Sequence, residues 1–179
     1  MKRVLILAIT ASLAVPAVSA AQDQPGAMAA ALKATLARYA ANMPGAADSM
    51  PADKYGFKPT PDQMSFGEIL AHEAQSNETL CAAISGSAAT PSESAAGATA
   101  PKADLVARLR KSFDYCGTVV GAVKESALGD SVPFFGGRKA TRARAIIALA
   151  QDWADHYAQA AMYLRLNGIL PPSARPRKP

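Results

Sequence analysis

The sequence predicts an all-α protein, a four-helix bundle, on three observations. Apolar residues recur at helical spacing in four separate stretches, strand alternation is sustained nowhere, and segments rich in Pro, Gly or Ser divide the stretches. With 179 residues, 50% of them hydrophobic, the chain can bury one ordinary core without a metal or a disulfide framework to hold it.

The first helix is expected over residues 27–43, where Leu32, Leu36, Tyr39 and Met43 form one stripe and Pro44-Gly45 closes it. The segment that follows, through Met50-Pro51 and Tyr55-Gly56-Phe57-Lys58-Pro59, is too rich in Pro and aromatics for a flexible linker and should pack across the bundle. Ser65-Phe66-Gly67-Glu68 reads as a capping box, so the second helix starts there and runs to Ser85. Residues 86–101 are low in complexity and lack a large apolar side chain, the pattern of a mobile loop. The third helix is expected over 102–126, burying Leu105, Leu109, Phe113, Cys116, Val120 and Val123. A Gly-rich turn at 132–137 precedes the fourth, over 140–167, which Gly168 and Pro171-Pro172 stop.

The ends of the chain carry most of its charge imbalance. Lys2 and Arg3 precede an apolar stretch, 4–18, that ends in Val18-Ser19-Ala20, the form of a secretory signal peptide. That stretch is shorter than the ~20 residues of a membrane-spanning helix, and no cysteine follows it to take a lipid. The expected organisation is a leader at 1–20, a bundle at 21–173 and a basic tail at 174–179, in a periplasmic or secreted protein with no stable membrane anchor. The leader and Arg175, Arg177 and Lys178 account for the whole net charge of +5. A charge-balanced body has no basic face for nucleic acid.

Export also favours a disulfide between Cys81 and Cys116, against the alternative of two buried free thiols. No Gly-x-Ser-x-Gly elbow and no Gly-rich phosphate loop occurs, so nucleophilic-serine and nucleotide chemistry drop out. What remains is polar interruption of apolar stripes. On the fourth helix Asp152, His156, Gln159 and Tyr163 share one narrow strip. A carboxylate and an imidazole one turn apart can reach one divalent ion, though the same spacing also makes ordinary solvated pairs. On the second helix His72 lies at the margin of the stripe of Phe66, Ile69, Leu70, Leu80 and Ile84, and Glu73 near its centre, where a carboxylate is costly unless partnered. Glu73 either meets a basic group or a Tyr hydroxyl, or serves as a general base in a site shared with the fourth helix.

Two blocks carry a resemblance. Residues 50–68, through Tyr55-Gly56-Phe57-Lys58-Pro59 to Ser65-Phe66-Gly67-Glu68 and then His72, look like the lead into the second helix of the DinB-like superfamily. Asp155-His156-Tyr157 and Tyr163-Leu164-Arg165-Leu166-Asn167-Gly168-Ile169-Leu170-Pro171-Pro172-Ser173 resemble its fourth helix and C-terminus, particularly in exported members. The resemblance implies an up-down-down-up bundle and a divalent metal site of three histidines, one on the second helix and two on the fourth. His72 matches the first and His156 the last, while Asp152 stands where the remaining histidine would be. A two-His-one-carboxylate set suits zinc, nickel, manganese or iron. The resemblance further implies transferase or isomerase chemistry with small thiols; hydrolysis, with Glu73 or Asp152 as base, is the chemical alternative for an exported protein. The partner is an unidentified small molecule, and a homodimer is implied. The competing reading is a non-catalytic binding or structural bundle with a degenerate metal site, in which His72, Glu73, Asp152 and His156 form a buried polar network and the pocket lined by Trp153, Tyr157 and Tyr163 holds an apolar ligand or merely packs.

Overall fold

A computed structural model describes residues 26–87 and 100–176. Four helices, α1 (Ala27–Ser49), α2 (Phe66–Ser85), α3 (Lys102–Gly121) and α4 (Arg142–Leu166), build the bundle, and a two-stranded hairpin, β1 (Ser131–Pro133) and β2 (Lys139–Thr141), precedes α4. The expected leader, most of the low-complexity segment and the last three residues of the basic tail lie outside the described residues.

Side-chain pairings fix the directions of the helices. Asn77 meets Ser112, Glu78 meets Arg108 and Cys81 meets Cys116, so α2 and α3 run parallel. Tyr163 meets Met64, Trp153 meets Asn77 and Arg142 meets Ile84, so α4 runs against α2. Helix α1 opposes α3 through Asp48 and Arg110, with Leu36 lying beside Gly117. The order is up-down-down-up, with α1 and α2 each packed on both α3 and α4. Cys81 and Cys116 form a disulfide with Cα atoms 5.4 Å apart, stapling the parallel pair.

The capping box at the start of α2 forms as the sequence predicts: Ser65 Oγ accepts from Glu68 N, and Ser65 N donates to Glu68 Oε2. The preceding segment packs rather than hangs, with Tyr55 edge-on to Phe66 and Phe57 edge-on to Tyr163.

Four boundaries differ from expectation, each for a tertiary reason. Helix α1 does not stop at Met43 but continues through Pro44 to Ser49. An interior proline costs about 3 kcal/mol. Here Pro44, Ala46 and Ala47 are buried, and the carbonyls at the helix end are satisfied by Ser49 Oγ, Tyr55 Oη and Lys102 Nζ. Helix α3 ends at Gly121 rather than 126, where bonds from Ala122 N to Val119 O and from Val123 N to Val120 O tighten the last turn. Val123 is therefore only partly buried, at the edge of the core. Residues 131–141 are not a plain turn: Ser131 pairs with Thr141 and Pro133 with Lys139. Gly136 and Gly137 take positive φ (65° and 69°) to close this hairpin, a conformation that side-chain-bearing residues resist. Helix α4 consequently starts at Arg142, with Thr141 Oγ1 accepting from Arg144 N as its cap.

Candidate metal centre

Because α2 and α4 run in opposite directions, the second turn of α2 lies against the middle of α4. That places His72 and Glu73 opposite Asp152 and His156. The His72 and His156 rings stand 4.7 Å apart between centroids. One donor atom each from His72, Asp152 and His156 falls within 4.8 Å of the others. Donors arranged tetrahedrally about 2.1 Å from a zinc-sized ion are about 3.4 Å apart, so side-chain adjustments on the order of 1 Å would close the set. Exposure grades across the cluster: His72 faces solvent, Asp152 is half-buried and His156 is buried.

Inside, the electrostatics are those of an acceptor-rich pocket. His156 Nδ1 lies 2.9 Å from the Asp152 carbonyl, 3.5 Å from Asp152 Oδ1 and 3.4 Å from Glu73 Oε2. Glu73 is fully buried, and neither of its carboxylate oxygens nor Asp152 Oδ2 has a hydrogen-bond partner among the described residues. Burial, then the charge of Asp152, pushes the Glu73 carboxyl up to about 8 despite the opposing pull of His156. Burial by itself would lower His156, but the hydrogen bond and charge of Asp152 and the charge of Glu73 raise it to about 9. His72 is held below its ordinary value by burial and by the neighbouring His156. Three buried carboxylate oxygens without donors, facing two imidazoles, form a donor set that suits a divalent cation.

Not every residue of the predicted strip joins the cluster. Gln159 turns to Asp155, and the Tyr163 hydroxyl donates to Met64 O. Trp153, Tyr157 and Tyr163 are buried in the core, in keeping with the alternative that they merely pack. Among the described residues Glu73 pairs with no lysine, arginine or Tyr hydroxyl; its neighbour is His156. Sequence reasoning missed Asn77, fully buried about one and a half turns along α2 from His72. Its Oδ1 accepts from Trp153 Nε1 at 2.6 Å and its Nδ2 donates to Ser112 Oγ at 3.0 Å, so one amide ties α2 to α3 and α4 directly beneath the site. An amide interrupting the apolar stripe of α2 was the available signal.

Fold and site together define a class: an up-down-down-up helical bundle with two histidines and an aspartate gathered between its second and fourth helices. The chain belongs to the DinB superfamily, whose family model matches residues 22–160. Among solved structures, a DinB-like protein of Bacillus subtilis, YjoA, superposes with a TM-score of 0.67 at 19% identity, covering 83% of this chain and 99% of that one. A variant of a mycothiol-dependent maleylpyruvate isomerase superposes with a TM-score of 0.61 at 12% identity, over 73% of this chain and 59% of that one. At these identities the likeness is one of fold. No curated protein sequence matches the chain.

Proposed function

We propose that His72, Asp152 and His156 hold one divalent ion, zinc, nickel, manganese or iron, and that the protein acts on a small molecule from the periplasm or cell exterior by hydrolysis or group transfer. The observation that carries this reading is the convergence of the three donors beside buried carboxylate oxygens that have no hydrogen-bond partner among the described residues. When bound, such an ion supplies Lewis acidity, polarising an oxygen or a thiol of the substrate.

The remaining work falls to the chain's own groups. In the tautomer that donates from Nδ1 to the Asp152 carbonyl, His156 keeps the Nε2 lone pair for coordination, with Glu73 Oε2 behind the same Nδ1. Glu73 has no exposed surface, so its fitting role is to orient and charge-balance His156 rather than to take a proton directly from substrate. Asp152, half-buried, is the better-placed base. His72, on the solvent side, marks the open face by which a substrate would arrive.

The leader-like first twenty residues and the Cys81–Cys116 disulfide support an oxidising compartment. Reduced thiols are scarce there, which favours hydrolysis over the thiol chemistry named for the isomerase relative. The test is metal analysis of untagged protein, followed by titration with zinc, nickel and manganese. About one ion per chain is expected, and His72→Ala, Asp152→Asn and His156→Ala should each weaken binding at least tenfold, the scale of losing even a supporting group. Uptake that none of the three substitutions changes, in variants whose circular dichroism stays helical, would sink the reading and leave a non-catalytic bundle.

A further inference from the structure

Between α2 and the β1–β2 turn lies a cleft of about 250 Å³, lined on one side by Thr79 and Ala83 and on the other by Pro133, Phe134 and Phe135. The two phenylalanine rings meet edge to face with centroids 4.8 Å apart, and Phe135 is 47% exposed. Of the large hydrophobic side chains left exposed among the described residues, Phe135 is the one that lines this cleft.

The cleft is in line with the metal-ligand cluster. Thr79 and Ala83 follow His72 by seven and eleven residues, which on a helix places both within about 20° of its direction, roughly 10 and 16 Å further along. His72 is the solvent-facing member of the cluster. Cluster and cleft therefore share one strip of α2 along its seam with the α4 side of the bundle, and one elongated molecule can occupy both. The rim is positive: the exposed Arg144 guanidinium stands 5.8 Å from the Phe134 ring centroid, and among the described residues no carboxylate pairs with it.

Resting on the metal-site reading, we propose that this cleft is the recognition end of the same site and takes the aromatic group of an elongated aromatic anion. An apolar cavity of about 150 Å³ holds one benzene ring, so the larger cleft has room for a two-ring group. Arg144 supplies the charge complement for an anionic substituent beside the Phe134 ring. The far end of the molecule then reaches His72.

The test uses 2-naphthoate as probe and the full mature chain loaded with zinc or with manganese. Proton NMR titration of the zinc protein should show saturable binding, weakened about tenfold by Phe135→Ala and about fivefold by Arg144→Gln, the scale of a lost aromatic contact and a lost partly exposed charge. Both side chains are exposed, so neither variant threatens folding. Replacing zinc by manganese should broaden the naphthyl resonances, because the probe lies within range of the paramagnetic ion. No saturable binding, or binding indifferent to both substitutions, overturns the cleft assignment. Binding that Phe135→Ala weakens but manganese does not broaden overturns the link between cleft and cluster. Manganese uptake is measured separately by equilibrium dialysis; its absence overturns the metal reading and with it the shared substrate, whatever naphthoate does.

Discussion

Replacing both Cys81 and Cys116 by alanine is the cleanest perturbation of the scaffold that holds the cluster. Both sulfurs are fully buried and join the parallel helices α2 and α3 one turn beyond Asn77. The loop they close, residues 81–116, restricts the unfolded chain by about 3.8 kcal/mol at 25 °C in the chain-entropy model. Each missing sulfur also leaves a small void, worth roughly 0.5–1 kcal/mol. The expected loss is therefore about 5–6 kcal/mol, a large share of the ~5–15 kcal/mol that stabilises a typical domain. In a domain of this size that corresponds to a fall in Tm of roughly 10–24 °C. The assay is a pair of chemical and thermal unfolding curves, wild type against the double alanine variant, followed by circular dichroism at matched pH with chelator present. Alanine is preferred to serine because a buried hydroxyl would add a cost of its own. A loss of less than about 1 kcal/mol would refute the reasoning, as would wild-type protein that binds two equivalents of a thiol reagent after unfolding without reductant.

Other outcomes follow from single interactions. Asn77→Ala strands the buried Trp153 indole N–H and removes the donor to Ser112 Oγ, which keeps its bond to Leu109 O, and should lower stability by about 2–4 kcal/mol in urea unfolding. Asp152→His would complete a three-imidazole set, and in competition titrations should shift preference toward zinc and nickel and away from manganese by about tenfold or more. In metal-free protein, stability should fall as pH rises. Folded Glu73 keeps a proton up to about 8 that an ordinary carboxyl releases near 4.5, and folded His156 keeps one up to about 9 that an ordinary imidazole releases near 6.5. The folded state thus binds more protons across this window, and the stabilisation present at its acid end is lost through its alkaline end. Thermal melts with chelator at pH 6 and pH 9 check this: a higher Tm at pH 9 would contradict the burial of the pair, and Glu73→Gln should flatten the slope.

The parts of the bundle that were legible in advance are those governed by local rules. A capping box needs only Ser65 and Glu68 three residues apart, and both bonds form. Gly168 supplies the positive φ (72°) that follows α4, as its place before Pro171-Pro172 indicates. The hairpin escaped because strands of three residues are too short to display alternation, and its two glycines read equally well as a turn. Pro44 was misleading for a related reason: its local cost is real, but the burial of Pro44, Ala46 and Ala47 and the side chains that satisfy the helix end are contributed by residues distant in sequence.

The same division runs through the site. Sequence alone determined that this is a four-helix protein and that Asp152 and His156 lie one turn apart on α4, because the 3.6-residue period puts residues i and i+4 on one face wherever the helix goes. It also determined that Glu73, at the centre of an apolar stripe, would need something opposite it. Only the tertiary structure decided that the something is His156 rather than a tyrosine, that the His72 ring centroid comes within 4.7 Å of that of His156, and that Asn77 anchors Trp153. Those outcomes depend on the register of α2 against the antiparallel α4. Register is set by how the whole core interdigitates, and no stretch of sequence short enough to read by its own periodicity contains it.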